Sequence, residues 1–307
     1  MQKSSIKHSA LLLLAAFIWG SAFVSQSRGA EYVDAFTFLF LRSVVAVLFL
    51  SAVIPFLDKV KPSGKKPATK KDLRTLWIAG ISCGFFLFLA SFLQQKGIET
   101  TTVGKAGFLT ACYIVLVPVC GIFLHKKTSP KVALAVLFAL GGLYFLCIRS
   151  EDFSIGTGDL LILLSSLGFT VQILLISWFS PMVDGVRMSR IQFICITVFS
   201  FVAMLVFETP DIASIQKAGW SIFYAGCFSS GIAYTLQIIG QEKVNPTVAS
   251  LLMSCEALFS VICGFLFLHE AISFREMIGC LLMCVAIVLA QLPPLKKKGS
   301  ADIIQEN

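Results

Sequence analysis

The chain has 307 residues, of which 57% are hydrophobic and only 14% are charged. Soluble domains are about 45–50% apolar and about 25% charged, so this composition excludes an ordinary water-soluble protein and favours one that lies in the lipid bilayer. The net charge of +8 would also suit a nucleic-acid-binding protein, but the placement of the basic residues argues against that class.

Apolar runs of about 20 residues follow one another along the chain, and a helix needs about that length to cross the hydrocarbon core. Because the runs are continuously apolar, they predict helices and not the alternating strands of a barrel. The first run is interpreted as a retained helix and not a signal peptide, since no convincing cleavage site follows it. Ten spans are predicted, approximately at 9–27, 35–57, 73–95, 102–124, 131–148, 157–178, 189–207, 218–240, 247–268 and 273–292.

Lysine and arginine are distributed unevenly between the predicted loops. If the N-terminus lies in the cytoplasm, 18 of the 25 basic residues fall in segments on that side. Cytoplasmic loops of membrane proteins carry this excess. The pattern predicts a multi-pass protein of the plasma membrane with both termini and the tail 293–307 in the cytoplasm, and it accounts for the charge without a nucleic-acid partner.

One stretch of sequence occurs twice, because LQQKGIE at 93–99 returns as LQIIGQE at 236–242, 143 positions later. The same offset relates Cys112 to Cys255. The loop after the fourth span is basic around Lys126, whereas its counterpart around Glu270 is net acidic. An odd number of spans in each half places the second half upside down in the membrane. The sequence therefore predicts two inverted five-helix repeats, 9–148 and 157–292, as in many secondary transporters.

Two groups of short motifs carry a family resemblance. Residues 19–23 (WGSAF) and Leu41-Arg42 stand in the first two spans, and AYTLQ at 233–237 with EKVNPTVASLL at 242–252 stands in the second half. They resemble the two EamA domains of the drug/metabolite transporter superfamily. The resemblance extends over about residues 9–292 and implies ten helices and a metabolite transporter. The chain departs from the family pattern at Ala257, where proline is common, and at Lys126, where glutamate is common.

Charged residues within predicted spans are candidates for function, because a charge at mid-membrane depth costs at least about 2.5–3.5 kcal/mol. Glu256, in the middle of the ninth span, is a candidate to exchange a proton or to pair with a substrate amine; a structural ion pair is the alternative. Arg42 lies about 10 Å into the second span and is a candidate to bind a substrate carboxylate through two hydrogen bonds, or to make a structural pair. Lys105 either lines a cavity or reaches the headgroups.

Uncharged polar and aromatic residues complete the predicted site. Several glutamines lie within spans, where an unpaired amide is costly: Gln94, Gln95, Gln172, Gln192, Gln237 and Gln241. Gln94 and Gln237 are related by the repeat and either line a cavity or join helices. Trp19, Tyr113 and Tyr234 are candidate cavity walls, with ordinary packing as the alternative. Pro118 predicts a kink, and hence a hinge, in the fourth span.

Together these features predict an all-α integral membrane protein that moves a small organic metabolite, such as an amino acid, by alternating access. The solute gradient or coupled protons would drive it, since no nucleotide motif, cofactor site or metal site is recognised. The predicted protein is therefore not an enzyme. The alternative is a membrane-embedded enzyme or lipid-processing protein, which would need clustered Asp, His or Glu residues at a membrane edge. The sequence does not specify the solute, the direction of transport or the oligomeric state.

Overall fold

The computed structural model of the chain describes residues 2–60, 67, 69–101, 103–123, 130–147, 156–268 and 273–291. Every regular element in these ranges is a helix. The predictions for the loops around Lys126 and Glu270 and for the tail 293–307 concern residues outside the described ranges. The side chain of Lys105 also lies outside the described part, although its backbone belongs to a helix.

The helices follow one another with short connections. In chain order they are α1 (Gln2–Ala30), α2 (Ala35–Val60), α3 (Lys70–Ile98), α4 (Val103–Ala111), α5 (Tyr113–Phe123), α6 (Pro130–Cys147), α7 (Thr157–Phe179), α8 (Gly185–Phe207), α9 (Ile212–Lys217), α10 (Gly219–Tyr224), a π-helical segment (Ala225–Ala233), α11 (Tyr234–Gln241), α12 (Pro246–Met253), α13 (Glu256–Leu268) and α14 (Phe274–Gln291).

Seven stretches are long and apolar enough to cross a membrane, and they agree with seven of the predicted spans. They are Ile6–Ala30, Ala35–Lys59, Lys70–Ile98, Thr157–Phe179, Gly185–Phe207, Gly219–Gln241 and Pro246–Cys263. Three shorter apolar helices, Ala106–Gly121, Pro130–Phe145 and Met277–Leu289, lie where the fourth, fifth and tenth spans are predicted. The chain is therefore a multi-pass helical membrane protein, and the total of ten spans stays a prediction.

Local sequence explains where several helices begin. Thr69 accepts a hydrogen bond from the Asp72 N–H while the Asp72 carboxylate accepts one from the Thr69 N–H, which is a capping box at the start of α3. Asp184 caps α8 by accepting from the Arg187 N–H. At α12, Asn245 is the cap and Pro246 occupies the first turn, where its missing N–H costs nothing.

The helices pack in pairs that join the first half of the chain to the second. Helix α2 lies along α8, α3 along α7, and α6 along α14, while α1 packs against the π-helical segment, α11 and α13. Glycine permits two of these close approaches: Gly97 lies against Ile162 of α7, and Gly240 lies against Leu12 of α1. Small residues permit this approach. Gly97 and Gly240 are 143 positions apart, so the repeat carries the same contact twice.

Contacts at the two ends of α2 and α8 define two faces of the bundle. On the face where α1 and α8 begin, here called the first face, Arg187 pairs with Asp58 at 2.6 Å and with Asp184 at 3.1 Å. On the opposite face, the Glu208 carboxylate at the end of α8 accepts hydrogen bonds from the Phe36 N–H at 2.8 Å and the Thr37 N–H at 2.7 Å. Glu208 thus satisfies free donors at the start of α2, and polar contacts join these two helices at both ends.

Two spans are interrupted at positions that the repeat relates. Helix α4 ends before Cys112, and α12 ends before Ser254 and Cys255. In both places the cysteine thiol faces a carbonyl one turn earlier: Cys112 Sγ lies 3.6 Å from Phe108 O, and Cys255 Sγ lies 3.7 Å from Leu251 O. Side-chain bonds of this kind compete with the helical ladder and bend helices.

The interruption of the fourth span differs from the one predicted at Pro118. Pro118 lies inside α5, and the break comes six residues earlier, at Cys112. A proline removes the hydrogen bond to the carbonyl four residues before it, here that of Ile114, so its effect falls near the start of α5. The second half is broken at the same repeat position without a proline there, since Val261 is the counterpart of Pro118. Proline is therefore not the common cause of the two breaks.

Candidate functional site

A buried cavity lies near the middle of the bundle, where α1, α2, α3, α7 and α11 meet the broken helices α4–α5 and α12–α13. Eight of the residues predicted from the sequence line it: Trp19, Arg42, Gln94, Tyr113, Gln172, Tyr234, Gln237 and Glu256. Pro118 is not part of the lining. The space that a water centre can occupy is about 30 Å³, which is room for about two water molecules.

Glu256 and Tyr113 contact each other inside the cavity. The Tyr113 hydroxyl donates to Glu256 Oε1 at 3.0 Å, and both side chains are buried. Each is the first residue of the second part of a broken helix, α5 for Tyr113 and α13 for Glu256. The helix N-terminus at Glu256 favours a negative charge there. The two residues are 143 positions apart, so they are also counterparts in the repeat.

Arg42 is a buried cation that has no carboxylate partner among the residues that the structure describes. Only 3% of it is exposed, and its Nη1 donates to the side-chain oxygen of Gln26 at 3.0 Å. Its guanidinium carbon lies 5.9 Å from the centre of the Phe38 ring. Within the described residues, Arg42 Nε has no hydrogen-bond partner and no carboxylate oxygen lies within 4.0 Å of the guanidinium.

Three glutamines form a cluster on the side of the cavity towards the first face. Gln172 and Gln237 exchange hydrogen bonds at 3.1 and 3.3 Å, and Gln172 Nε2 also lies 3.4 Å from Gln192 Oε1. Towards the opposite face, Gln94 donates to the Thr110 hydroxyl at 3.0 Å. Polar side chains therefore lie on both sides of the Tyr113–Glu256 pair.

Aromatic rings form the apolar walls of the cavity. The rings of Trp19 and Tyr234 lie 4.8 Å apart, and Phe193 meets Tyr234 edge-on at 5.5 Å. Phe23 and Phe169 complete the wall. A cavity with apolar walls and a few convergent polar groups is the usual form of a small-molecule site.

Some lining residues are not predicted from the sequence. They are Phe23, Gln26, Thr110, Phe169, Ile173 and Ser229. Gln26 is a polar amide inside a predicted span, as Gln94 is, so the same reasoning could have predicted it. Thr110 and Ser229 gave no usable signal, because hydroxyl residues within helices commonly bond to their own backbone.

A second, wider depression opens at the opposite face between α2, α3 and α8. It has a volume of about 510 Å³ and is lined by Asp34, Phe36, Phe92, Lys96, Phe207 and Glu208. The rings of Phe36 and Phe92 are stacked at 4.1 Å. Two of its three charged groups have partners: Lys96 pairs with Glu99 at 2.7 Å, and Glu208 bonds to the start of α2.

The fold and the cavity define a multi-pass helical membrane protein with a buried, polar central site. Residues 7–148 and residues 156–292 each match the EamA-like transporter family. Because the two matches cover most of its length, the chain belongs to the EamA-like transporter family. This membership confirms the family resemblance that the motifs indicated.

Related proteins are named as transporters. An uncharacterized transporter of Archaeoglobus fulgidus is 28% identical over 282 residues, which cover 92% of this chain and 84% of the relative. The uncharacterized transporter YetK of Bacillus subtilis is 26% identical, with 87% and 82% covered. A crystal structure of another protein superposes with a TM-score of 0.75 over 92% of this chain and 96% of the other; at 17% identity this shows the fold alone.

Proposed function

We propose that this chain is a secondary transporter that moves a small organic metabolite, such as an amino acid, across the plasma membrane by alternating access. The observation that carries the proposal is the Tyr113–Glu256 contact, in which two residues related by the repeat meet inside the central cavity. Transporters built from inverted repeats have their site where the repeats meet, near the middle of the membrane. Both termini lie in the cytoplasm in this arrangement.

Packing between the halves supports an inverted repeat of ten spans. Under the repeat, α2 corresponds to α8 and α6 corresponds to α14, and each of these pairs is in direct contact. Such contacts between counterparts are expected on either side of a two-fold axis. Gly97 approaches Ile162 and Gly240 approaches Leu12, and the proposed two-fold axis would relate these two contacts to each other.

The size of the cavity supports alternating access. Room for about two water molecules is too little for an amino acid, so a solute of that size requires the surrounding helices to separate. Polar clusters lie on both sides of the Tyr113–Glu256 pair. The breaks at Cys112 and at Ser254–Cys255 lie beside the cavity and give two spans a place to bend.

Glu256 is the residue proposed to couple transport to protons. As a carboxylate it accepts the hydrogen bond of Tyr113, and once protonated it becomes a donor itself. A solute amine is the other partner that fits the carboxylate. Binding of a proton and binding of the amine each change the charge of the cavity. Both use the Glu256 carboxylate, so the two cannot bind at the same time.

Reconstitution into proteoliposomes tests the function. We expect uptake of a labelled solute that saturates and is accelerated by unlabelled solute on the other side. Flux that stays linear with concentration would indicate a channel, and turnover of a chemical bond would indicate the alternative of a membrane-embedded enzyme or lipid-processing protein.

The proton role of Glu256 makes a separate prediction. In Glu256→Gln, net flux of the solute should be lost. The exchange of solute that remains should no longer depend on pH, because the amide cannot bind or release a proton at the pH values of the assay. Exchange of solute without a pH gradient should survive better than net flux. A variant whose transport keeps the pH dependence of the original protein would contradict the role.

A further inference from the structure

We propose that Arg42, which Gln26 contacts in this state, is the subsite for the carboxylate of the transported solute, on the side of the cavity towards the opposite face. The inference rests on the proposed transport function and names its substrate class: small molecules for which a carboxylate group is required. It also gives the bound solute a direction, with the carboxylate towards the opposite face and the remainder towards Glu256.

The first argument is the uncompensated charge of Arg42. The guanidinium is 3% exposed and donates to one neutral amide oxygen, while its Nε has no partner within the described residues. A buried charge without a counter-ion is strongly unfavourable. The missing group is an anion, and the two Nη atoms of the planar guanidinium match the two oxygens of a carboxylate.

The second argument is the way Gln26 is held. The Gln26 backbone carbonyl accepts a hydrogen bond from Gln95 Nε2 at 3.3 Å, which ties this part of α1 to α3. The Gln26 side chain is 4% exposed and occupies Arg42 Nη1 with its amide oxygen. A carboxylate that binds Arg42 takes the position of this oxygen, and the side chain alone has to turn because the backbone is fixed by α3.

The third argument is the difference between Arg42 and its counterpart in the repeat. A Cβ added at Gly84 would lie 2.8 Å from Gln192 O and 2.7 Å from Cys195 Cβ. A Cβ added at Gly226 would meet Arg42 O at 2.8 Å and Val45 Cβ at 2.6 Å in the same way.

These matched contacts make Gln192 the counterpart of Arg42. The glycines are 142 positions apart instead of 143, as expected if the intervening π-helical segment contains one additional residue. Gln192 is neutral and belongs to the glutamine cluster at Gln172. Among the lining residues that the structure describes, Arg42 is the one cation, and its position sets the direction of a bound carboxylate.

Ligand-dependent thermal unfolding of the purified full-length protein tests the subsite, since a ligand that binds only the folded state raises the Tm. The probes are the twenty amino acids, each compared with its primary amide. We expect one or more amino acids to raise the Tm and their amides to have at least tenfold weaker affinity. Equal stabilisation by acid and amide would overturn the inference, and so would a panel in which no carboxylate raises the Tm.

Substitutions assign the effect to Arg42. Arg42→Gln places in α2 the residue type that α8 carries at Gln192, and it should weaken the carboxylate at least tenfold without affecting the amide. The matched control, Arg28→Gln at an exposed position near the end of α1, should change the affinity less than twofold. Unaltered carboxylate affinity in Arg42→Gln would contradict the subsite.

Gln26→Met provides a second readout that does not depend on the folding of Arg42→Gln. It removes the competing acceptor and should tighten carboxylate binding severalfold, whereas unchanged or weaker binding would contradict the proposed displacement.

Counterflow in proteoliposomes separates this inference from the transport proposal. If amino acids exchange equally well in the original protein and in Arg42→Gln, the subsite is wrong and the transporter stands. If carboxylates bind through Arg42 but no panel member crosses the membrane, the subsite stands and transport is wrong.

Discussion

At the scale of single residues, polarity inside apolar runs identified five of the fourteen residues that line the cavity. Glu256, Arg42 and Gln237 were predicted because the cost of burying each group follows from its own chemistry, and all three line the cavity. Their partners were not predicted. The pairing of Arg42 with Gln26 depends on how α1 and α2 pack, and no local pattern contains that information.

The glutamine cluster makes a prediction about stability. Gln172→Leu leaves the amides of Gln237 and Gln192 without their shared partner, and each group left unpaired in a buried position costs about 1–3 kcal/mol. We expect a lower Tm for this variant by thermal unfolding in nanodiscs. The control Gln216→Leu, on the exposed short helix α9, should have almost no effect. Equal Tm values for the two variants would show that the cluster does not stabilise the fold.

At the scale of helices, hydropathy predicted where the spans lie but not how they are interrupted. The fourth span was predicted to kink at Pro118, whereas the chain breaks at Cys112 and again at Ser254–Cys255. A thiol bonded to a carbonyl one turn earlier is a weak local effect. The two cysteines alone therefore did not predict that the helices break there. The π-helical segment Ala225–Ala233 likewise had no signal in the sequence.

The connection between α8 and α2 gives a prediction at this scale. Glu208 accepts three hydrogen bonds at the start of α2, from the Phe36 N–H, the Thr37 N–H and the Thr37 hydroxyl. Glu208→Ala leaves these donors without an acceptor from α8. We expect the free energy of unfolding to fall by about 1–3 kcal/mol and hydrogen exchange at Phe36 and Thr37 to become faster.

Asp211 provides the matched control for Glu208. It caps the short helix α9 from an exposed position. The hydrogen bond that its carboxylate accepts from the Ser214 N–H lowers the pKa of this carboxyl. Asp211→Ala should speed exchange at Ser214 but leave Phe36 and Thr37 unchanged. Identical exchange profiles for the two alanine variants would remove the special role of Glu208.

At the scale of the whole molecule, the sequence predicted a helical membrane protein of the EamA-like family, and both statements are confirmed. The internal repeat was visible because its motifs lie at a constant offset. The cavity between the halves was expected from that repeat, but its contracted size was not, since the volume between helices depends on the rotation of each side chain. The contact between α2 and α8, counterparts under the repeat, agrees with the proposed axis between inverted halves.

The opposite orientation of the two halves is tested most directly by topology mapping. A reporter is fused after Lys126 in one version of the protein and after Glu270 in another, and its side of the membrane is determined by enzymatic activity or protease accessibility. The account predicts that the reporter after Lys126 lies in the cytoplasm and the one after Glu270 lies outside. Reporters on the same side would contradict the inverted repeat and, with it, the assignment of the central cavity.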